Sequence, residues 1–186
     1  MRINIPNRQY LGTVFSGTQV VDVSISPDSL ILVALDFREH KLRVFTVNQE
    51  TCSLTYKSEH SVSSPINAEF SPDGKTLIVV NHQNDSISIF RVDSGSLVFR
   101  NTIAEICSSY PQSVAFSRDG RKAYVFCQGG PNNDKLVVLS VNGPGEVDNT
   151  GIIIELGGGS SLGYFGVNQI AITPDNKWII VSHQGQ

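Results

Sequence analysis

A four-residue turn motif recurs four times along this chain of 186 residues. Proline at its second position presets φ for a turn, and glycine or asparagine at its fourth position tolerates a left-handed backbone. Each copy therefore predicts a tight connection between two antiparallel strands, with a slightly different or more strained turn where Ser29 ends the first copy. The copies are Ser26-Pro-Asp-Ser29, Ser71-Pro-Asp-Gly74, Ser117-Arg-Asp-Gly120 and Thr173-Pro-Asp-Asn176, with starts 45, 46 and 56 residues apart.

Apolar segments flank each turn in a constant order. A segment of alternating polarity precedes the turn, as in Val21 to Ile25, and indicates a strand. A nearly unbroken apolar run follows the turn, as in Leu77 to Val80, and predicts a strand buried on both faces. A weaker fourth strand is predicted in each unit near 54–56, 97–103 and 147–156. The third strand repeats one template: Leu42-x-Val44-Phe45-x-Val47, Ile87-x-Ile89-Phe90-x-Val92 and Leu136-x-Val138-Leu139-x-Val141.

These repeats predict an all-β fold made of β-propeller blades, each of four antiparallel strands. No stretch shows helical spacing sustained over three turns. The blades are expected at approximately 20–59, 65–104, 111–156 and 167–186, with an N-terminal outer strand at 10–15.

The number of predicted strands is too small for the usual ring. About fifteen strands make about 3.75 blades, whereas repeats of this length commonly close with roughly six to eight. We favour a fragment, or a half-ring completed by a second chain, over a closed four-blade ring. Open ends leave unpaired strand edges, so self-association or missing blades are expected.

Charge and hydropathy limit the classes of partner. Charged residues make up 17% of the chain and the net charge is −3, which gives no basic surface for nucleic acid. No apolar run approaches the roughly 20 residues of a membrane span. The N-terminus lacks the apolar region of a signal peptide. A soluble, cytoplasmic protein is expected.

Three cysteines, Cys52, Cys107 and Cys127, stand at unrelated spacings. An odd number of cysteines without a repeated spacing suggests neither a disulfide framework nor a zinc site. We expect small thiols in a reducing compartment.

The stretch from Ser71 to Leu97, S-P-D-G-K-T-L-I-V-V-N-H-Q-N-D-S-I-S-I-F-R-V-D-S-G-S-L, resembles repeats of the lactonase-type seven-bladed propellers, the 6-phosphogluconolactonase-like family. It is also similar to the related YVTN repeats, with Ile78-Val-Val-Asn81 in the place of that tetrapeptide. The resemblance covers residues from about 10 to 186. It implies a propeller whose relatives include sugar-lactone hydrolases, cycloisomerases and proteins with no known reaction.

In a propeller, the loops between second and third strands emerge on one face, where binding sites usually lie. His82 and His183 directly follow second strands. A neutral imidazole can act as a general base or hydrogen-bond a lactone carbonyl. We therefore predict both histidines as catalytic residues, with the alternative that they are polar loop residues at strand ends.

The same loops carry side chains that are predicted to bind a ligand. The carboxylates among them lack the spacing of a calcium loop, so no metal is expected, and no cofactor fingerprint is present. The predicted ligand-binding residues are Asp36, Arg38, Glu39, Asn84, Asp85, Gln128, Asp134 and Gln184.

The function expected from these features is a lactonase-like propeller segment that acts as a binding or interaction module. Relatives of this family that are enzymes tend to carry a histidine ahead of a D-P-x-G turn. In this chain no histidine stands in the strand that precedes any of the four turns. The alternatives are a sugar-lactone hydrolase and a structural repeat of a surface protein. The expected partner is a small-molecule sugar lactone or a protein.

Overall fold

The computed structural model describes residues 2–4, 9–12, 16–108, 110–129, 133–157 and 169–182. These residues form three complete sheets of four antiparallel strands and two separate two-stranded sheets. The all-β propeller blades expected from the sequence are confirmed. No helix in the described part of the chain is long and apolar enough to cross a membrane.

The three complete sheets are blades 1 to 3, and each follows chain order from its innermost to its outermost strand. Blade 1 contains β3 (Val20–Ile25), β4 (Ile31–Asp36), β5 (Lys41–Val47) and β6 (Leu54–Ser61). Blade 2 contains β7 (Pro65–Phe70), β8 (Thr76–Asn81), β9 (Ser86–Asp93) and β10 (Ser96–Ala104). Blade 3 contains β11 (Tyr110–Phe116), β12 (Lys122–Gln128), β13 (Lys135–Gly143) and β14 (Glu146–Glu155).

Two shorter sheets flank the blades in the sequence. The first pairs β1 (Arg2–Asn4) with β2 (Gln9–Gly12), and the second pairs β15 (Ile170–Ile172) with β16 (Ile179–Val181). The predicted N-terminal outer strand overlaps β2, and its residues 13–15 lie outside the described part. The described chain is therefore a partial propeller of three blades and two strand pairs.

Each of the four turn quartets forms the same set of hydrogen bonds. In the second copy the Ser71 hydroxyl donates to Asp73 Oδ1 at 2.6 Å, and this carboxylate accepts from Lys75 N at 3.0 Å. The same hydroxyl oxygen accepts from Thr76 N at 2.9 Å, which fixes the start of the returning strand. Ser29 adopts the left-handed backbone with φ of 60°, as Gly74 does with φ of 70°, so the strain expected at Ser29 is present.

Hydrophobic clusters lie between the blades, because the second strand of each blade is apolar on both faces. In β8, Leu77 and Val79 pack in a cluster with Val33 of blade 1. Ile78 and Val80 pack in a second cluster with residues of blade 3. All six residues of β8 are buried, and the prediction of strands buried on both faces is confirmed for the second strands of blades 1 to 3. It is wrong for the fourth predicted run, in which Trp178 and Ile180 are exposed. Each fully buried aliphatic side chain contributes about 1.5–3 kcal/mol relative to an exposed one.

A β-bulge at the same place in each innermost strand links the blades by hydrogen bonds. The pairing register shifts between Val20 and Asp22, between Pro65 and Asn67, and between Pro111 and Ser113. Just after the bulge, Asp22 Oδ2 accepts from Ala68 N of blade 2 at 2.9 Å. Asn67 Oδ1 accepts from Val114 N of blade 3 at 2.9 Å. In blades 1 and 2, one side chain thus binds the backbone of the next blade.

A disulfide joins Cys107, in the connection between blades 2 and 3, to Cys127 of β12. Their Cα atoms are 5.5 Å apart and both residues are buried. The prediction of no disulfide is wrong, because the odd count of cysteines hid a pair that only the propeller brings together. Closing a loop with a separation of 20 residues stabilises the fold by about 3 kcal/mol. Disulfides persist in oxidising surroundings, and the compartment expected from the sequence stays a prediction.

Apolar side chains are exposed on both flanks of the partial ring. Ile25 of blade 1 is 50% exposed, whereas Phe70, at the same position of blade 2, is 5% exposed. Ile180 of β16 is 62% exposed, whereas its counterpart Ile78 is fully buried. These differences arise because no described blade covers either flank.

The hydrogen bond between blades 2 and 3 predicts the effect of Asn67→Ala. This change removes the acceptor for Val114 N, so we expect a loss of about 1–3 kcal/mol in the free energy of unfolding. Urea denaturation measures the loss. Ser24→Ala on β3 is the matched control and should change stability by less than about 0.5 kcal/mol. Equal losses in the two variants would contradict the role of Asn67.

Candidate functional site

Three loops follow the second strands of blades 1 to 3 and lie on one face of the propeller. They comprise residues 36–41, 81–86 and 128–135, of which 130–132 lie outside the described part. These loops contain most of the residues that the sequence nominated as functional.

Asp36 ends β4 and its carboxylate is fully buried. Its oxygens accept from the backbone N–H groups of Thr18 at 2.8 Å and Glu39 at 3.1 Å. Burial by itself would raise the pKa of Asp36, but these hydrogen bonds and the nearby Arg43 charge outweigh it and lower the pKa. The structure thus places Asp36 inside the loop, where it organises the backbone.

Arg43 forms ion pairs with both acidic side chains of the first loop, Asp36 and Glu39. Its guanidinium lies 3.4 Å from Asp36 Oδ2 and forms a short ion pair with Glu39. The pKa of Glu39 is lowered by its hydrogen bonds from Thr18 and Arg43. Arg38 is exposed and donates from Nε to the Gln19 side chain at 3.1 Å. The predicted ligand-binding groups Arg38 and Glu39 therefore make contacts within the protein at the surface of this loop.

The second loop begins with a 3-10 turn at His82–Asn84 and ends at Asp85, which has a left-handed backbone. Asp85 Oδ1 accepts from Cys107 N at 2.8 Å, which attaches this loop to the connection between blades 2 and 3. Asn84 is exposed at the surface. Of these two predicted ligand-binding residues, Asn84 presents its side chain to solvent and Asp85 is half-buried.

His82 lies against the first residues of blade 3. Its Nδ1 is 3.2 Å from the carbonyl oxygen of Pro111, and its ring stacks on Tyr110 with centroids 5.0 Å apart. Gln112 Nε2 lies 3.4 Å from the same imidazole nitrogen and donates to Gln128 Oε1 at 3.0 Å. We call His82, Tyr110, Gln112 and Gln128 the His82 cluster.

The chemical state of His82 follows from these contacts. A carbonyl oxygen only accepts, so the Pro111 contact favours the tautomer with the proton on Nδ1. Nε2 then carries the lone pair of the neutral ring. Burial lowers the pKa of His82, although the Pro111 contact opposes the shift. The cluster thus holds a neutral, oriented imidazole of the kind that general base catalysis requires.

In the third loop, Gln128 and Asp134 are both buried. Asp134 Oδ1 accepts from Gly129 N at 3.1 Å and thereby joins the two ends of the loop. Gln128 belongs to the His82 cluster through its hydrogen bond from Gln112. The structure therefore brings two predicted site residues together, His82 and Gln128. Among the described residues, no group of three or more His, Cys, Asp and Glu side chains is placed to hold a metal ion.

Two predicted site residues, His183 and Gln184, lie outside the described part of the chain. Their predicted roles in catalysis and ligand binding remain predictions.

The loop positions in the sequence do not point to Tyr110 and Gln112, because both lie on the innermost strand β11. Gln112 occupies the bulge position of β11, where blades 1 and 2 carry Val21 and Ile66. Aligning the innermost strands of the three blades in the sequence shows Gln112 as the one polar residue at this position.

The same comparison identifies Glu69 on β7, whose counterparts in blades 1 and 3 are Ser24 and Ala115. Glu69 and Arg118 line a cavity of about 630 Å³ among the innermost strands. Burial against the cavity wall raises the pKa of Glu69 to about 7, Asp22 adds to the increase, and Arg118 opposes it. Glu69 remains partly open to solvent, which reduces the free-energy effect of this shift.

The fold and the loop face define a β-propeller with its candidate site on one face. The model of the lactonase, 7-bladed beta-propeller family matches residues 7–116 and again residues 68–186. The chain therefore belongs to the lactonase family of seven-bladed β-propellers. No curated protein matches the chain.

Several solved structures share the fold at low sequence identity. The periplasmic gluconolactonase of Pseudomonas aeruginosa is 21% identical with a TM-score of 0.70, over 89% of this chain and 47% of that one. A proposed 6-phosphogluconolactonase from Bacteroides uniformis is 20% identical with a TM-score of 0.70, over 87% and 46%. A protein of unknown function from Desulfotomaculum acetoxidans is 21% identical with a TM-score of 0.81, over 97% and 56%. The chain spans about half the length of these structures.

The raised pKa of Glu69 predicts a pH-dependent effect of Glu69→Gln. In the folded chain Glu69 keeps its proton up to about pH 7, whereas in the unfolded chain it ionises near its ordinary pKa of 4.5. The wild-type chain therefore loses stability as pH rises through this window. The stability of Glu69→Gln relative to wild type should rise between pH 4.5 and 8, measured as the urea midpoint.

Ser24→Ala on β3 is the control for this comparison, because Ser24 is the counterpart of Glu69 in blade 1 and carries no titratable group. The stability of this variant relative to wild type should not change over the same pH range. A difference between Glu69→Gln and wild type that stays constant with pH would contradict the assignment.

Proposed function

We propose that the loop face around His82 binds a sugar lactone and hydrolyses it. The observation that carries this proposal is the neutral His82 imidazole, held by Pro111 with its pKa lowered by burial. Membership of the lactonase family supports the choice of a lactone as substrate. Gln112 and Gln128 supply amide groups beside the imidazole for hydroxyl groups of the sugar.

In the proposed reaction His82 acts first as a base and then as an acid. Nε2 takes a proton from water while the water oxygen attacks the carbonyl carbon of the lactone. The ring C–O bond of the tetrahedral intermediate then breaks, and the imidazolium returns the proton to the departing ring oxygen. Lactone and water become one sugar acid, and His82 ends neutral. The Nδ1 contact with Pro111 keeps the ring orientation throughout.

The open flanks need a partner, and we propose that a second copy of the chain covers them. Ile25 and Ile180 expose apolar side chains at positions that are buried between blades elsewhere. The separate pairs β1–β2 and β15–β16 each supply half of a four-stranded blade. One copy's pair can therefore complete the pair of the other copy, with both apolar flanks buried in the contact.

The hydrolase proposal predicts a large loss of activity in His82→Gln. General acid–base catalysis contributes about 10²–10⁴-fold, so kcat for hydrolysis of 6-phosphogluconolactone should fall about 100-fold or more. The wild-type rate should fall to half of its plateau only below pH 6.5, since burial lowers the pKa of His82 from that value. Rates are measured as acid released above the spontaneous reaction.

Gln83→Ala is the matched control, because Gln83 is the exposed neighbour of His82 on the same loop. This variant should hydrolyse the lactone at the wild-type rate. Equal rates for His82→Gln and wild type would contradict the role of His82. Saturable lactone binding without turnover would instead support the binding module.

A further inference from the structure

An uncharged cavity lies between blades 1 and 2, apart from the His82 cluster. Its volume is about 440 Å³, and it opens where the end of β6 and the following loop meet β8, β9 and β10. None of the described residues that line it carries a charge. Five of them present hydroxyl groups: Ser61, Ser63, Ser86, Ser88 and Thr102.

Asn81, the last residue of β8, lines this cavity and is 1% exposed. Its Nδ2 donates to the hydroxyls of Ser86 at 3.1 Å and Ser88 at 2.9 Å. Its Oδ1 is buried and has no hydrogen-bond partner among the described residues. Turning the amide over would exchange the two atoms and leave the other one unpaired. A buried polar group left unpaired is costly, so a donor or acceptor from outside the chain is expected here.

Comparison of the blades shows why the cavity lies beside Asn81. The corresponding residue of blade 1, Asp36, accepts hydrogen bonds from Thr18 and Gln19 in the segment before that blade. The corresponding residue of blade 3, Cys127, forms the disulfide with Cys107 in the connection before that blade. Asn81 makes no bond of either kind to residues 61–64 in the described structure. The cavity lies where blades 1 and 3 have a bond between the end of the second strand and the segment before the blade.

An aromatic ring stands at the edge of the cavity. Phe99 of β10 lines the cavity and is 52% exposed, with its ring packed edge-on against Phe90 at 5.6 Å between centroids. The Phe90 contact holds the Phe99 ring in place. An exposed aromatic surface beside hydroxyl and amide groups matches the two surfaces of a sugar, an apolar C–H face and a rim of hydroxyls.

We propose that this cavity binds a neutral sugar or polyol. Its hydroxyl groups bond to the serine and threonine hydroxyls, and its C–H face lies on Phe99. A small rotation of the buried Asn81 side chain towards the cavity on binding lets its amide join these hydrogen bonds. The absence of charge in the lining favours a neutral ligand over a sugar acid, because a carboxylate would lose hydration without gaining an ionic partner. This site is independent of the lactone hydrolysis proposed for His82.

An NMR titration of the ¹⁵N-labelled chain with methyl α-D-glucopyranoside tests the proposal. We expect saturable shifts of the Asn81 side-chain amide and of the backbone amides of Phe99 and Thr102. Phe99→Ala should raise Kd about tenfold or more, the loss of one favourable ring contact. Gluconate should bind more weakly than the glucoside.

Val98→Ala is the control, since Val98 is exposed on the same strand and lies outside the cavity lining. Its Kd should equal that of the wild-type chain. Thr102→Val is a second test within the cavity and should also weaken binding. An unchanged Kd in Phe99→Ala and Thr102→Val would overturn the proposal. So would shifts confined to His82 and Gln112, or an Asn81 amide that responds to no sugar.

Discussion

The partial ring depends on hydrogen bonds from the innermost strand of one blade to the backbone of the next. Asp22 binds Ala68, and Asn67 binds Val114, in each case just after a β-bulge. Apolar clusters on the outer side of these bonds fill the space between blades. The candidate site depends on the same bonds, because the bulge of β11 carries Pro111 and Gln112, and Gln112 is two residues before Val114. The packing between blades thus places blade 3 residues against His82.

The repeat pattern was sufficient to predict the blades, and it was insufficient to predict the site. Turn residues and apolar periodicity act within one blade, so the strands around Ser71 and Leu77 followed from local rules. The partners of His82 lie 29 and 30 residues away in the next blade, and no period encodes contacts between blades. Gln112 and Glu69 are recognisable only as polar exceptions among equivalent apolar or small residues. The pairing of Cys107 with Cys127 likewise needed the fold.

One scaffold position serves three different chemical purposes in successive blades. At the end of the second strand, Asp36 binds backbone N–H groups, Cys127 forms a disulfide, and Asn81 borders a cavity with one amide atom that has no partner among the described residues. The backbone of the blade is the same in each case, so the side chain alone decides whether the preceding loop is tied down. This variation explains how a regular repeat can form a cavity beside Asn81 and none at the equivalent, tied positions of blades 1 and 3.

An open half-ring completed by a second copy is our proposal for the exposed flanks of the described residues, and a closed ring of four blades is the alternative. Native mass spectrometry tests this directly. We expect particles of two chains, each of 20.2 kDa, and dissociation to single chains in the double variant Ile25→Ser, Ile180→Ser, because both side chains lie on the open flanks. A particle of one chain, with the amides of β1–β2 and β15–β16 protected together from hydrogen exchange, would indicate a closed ring and contradict the open one. A larger assembly completed by further blades would replace the second copy as the partner.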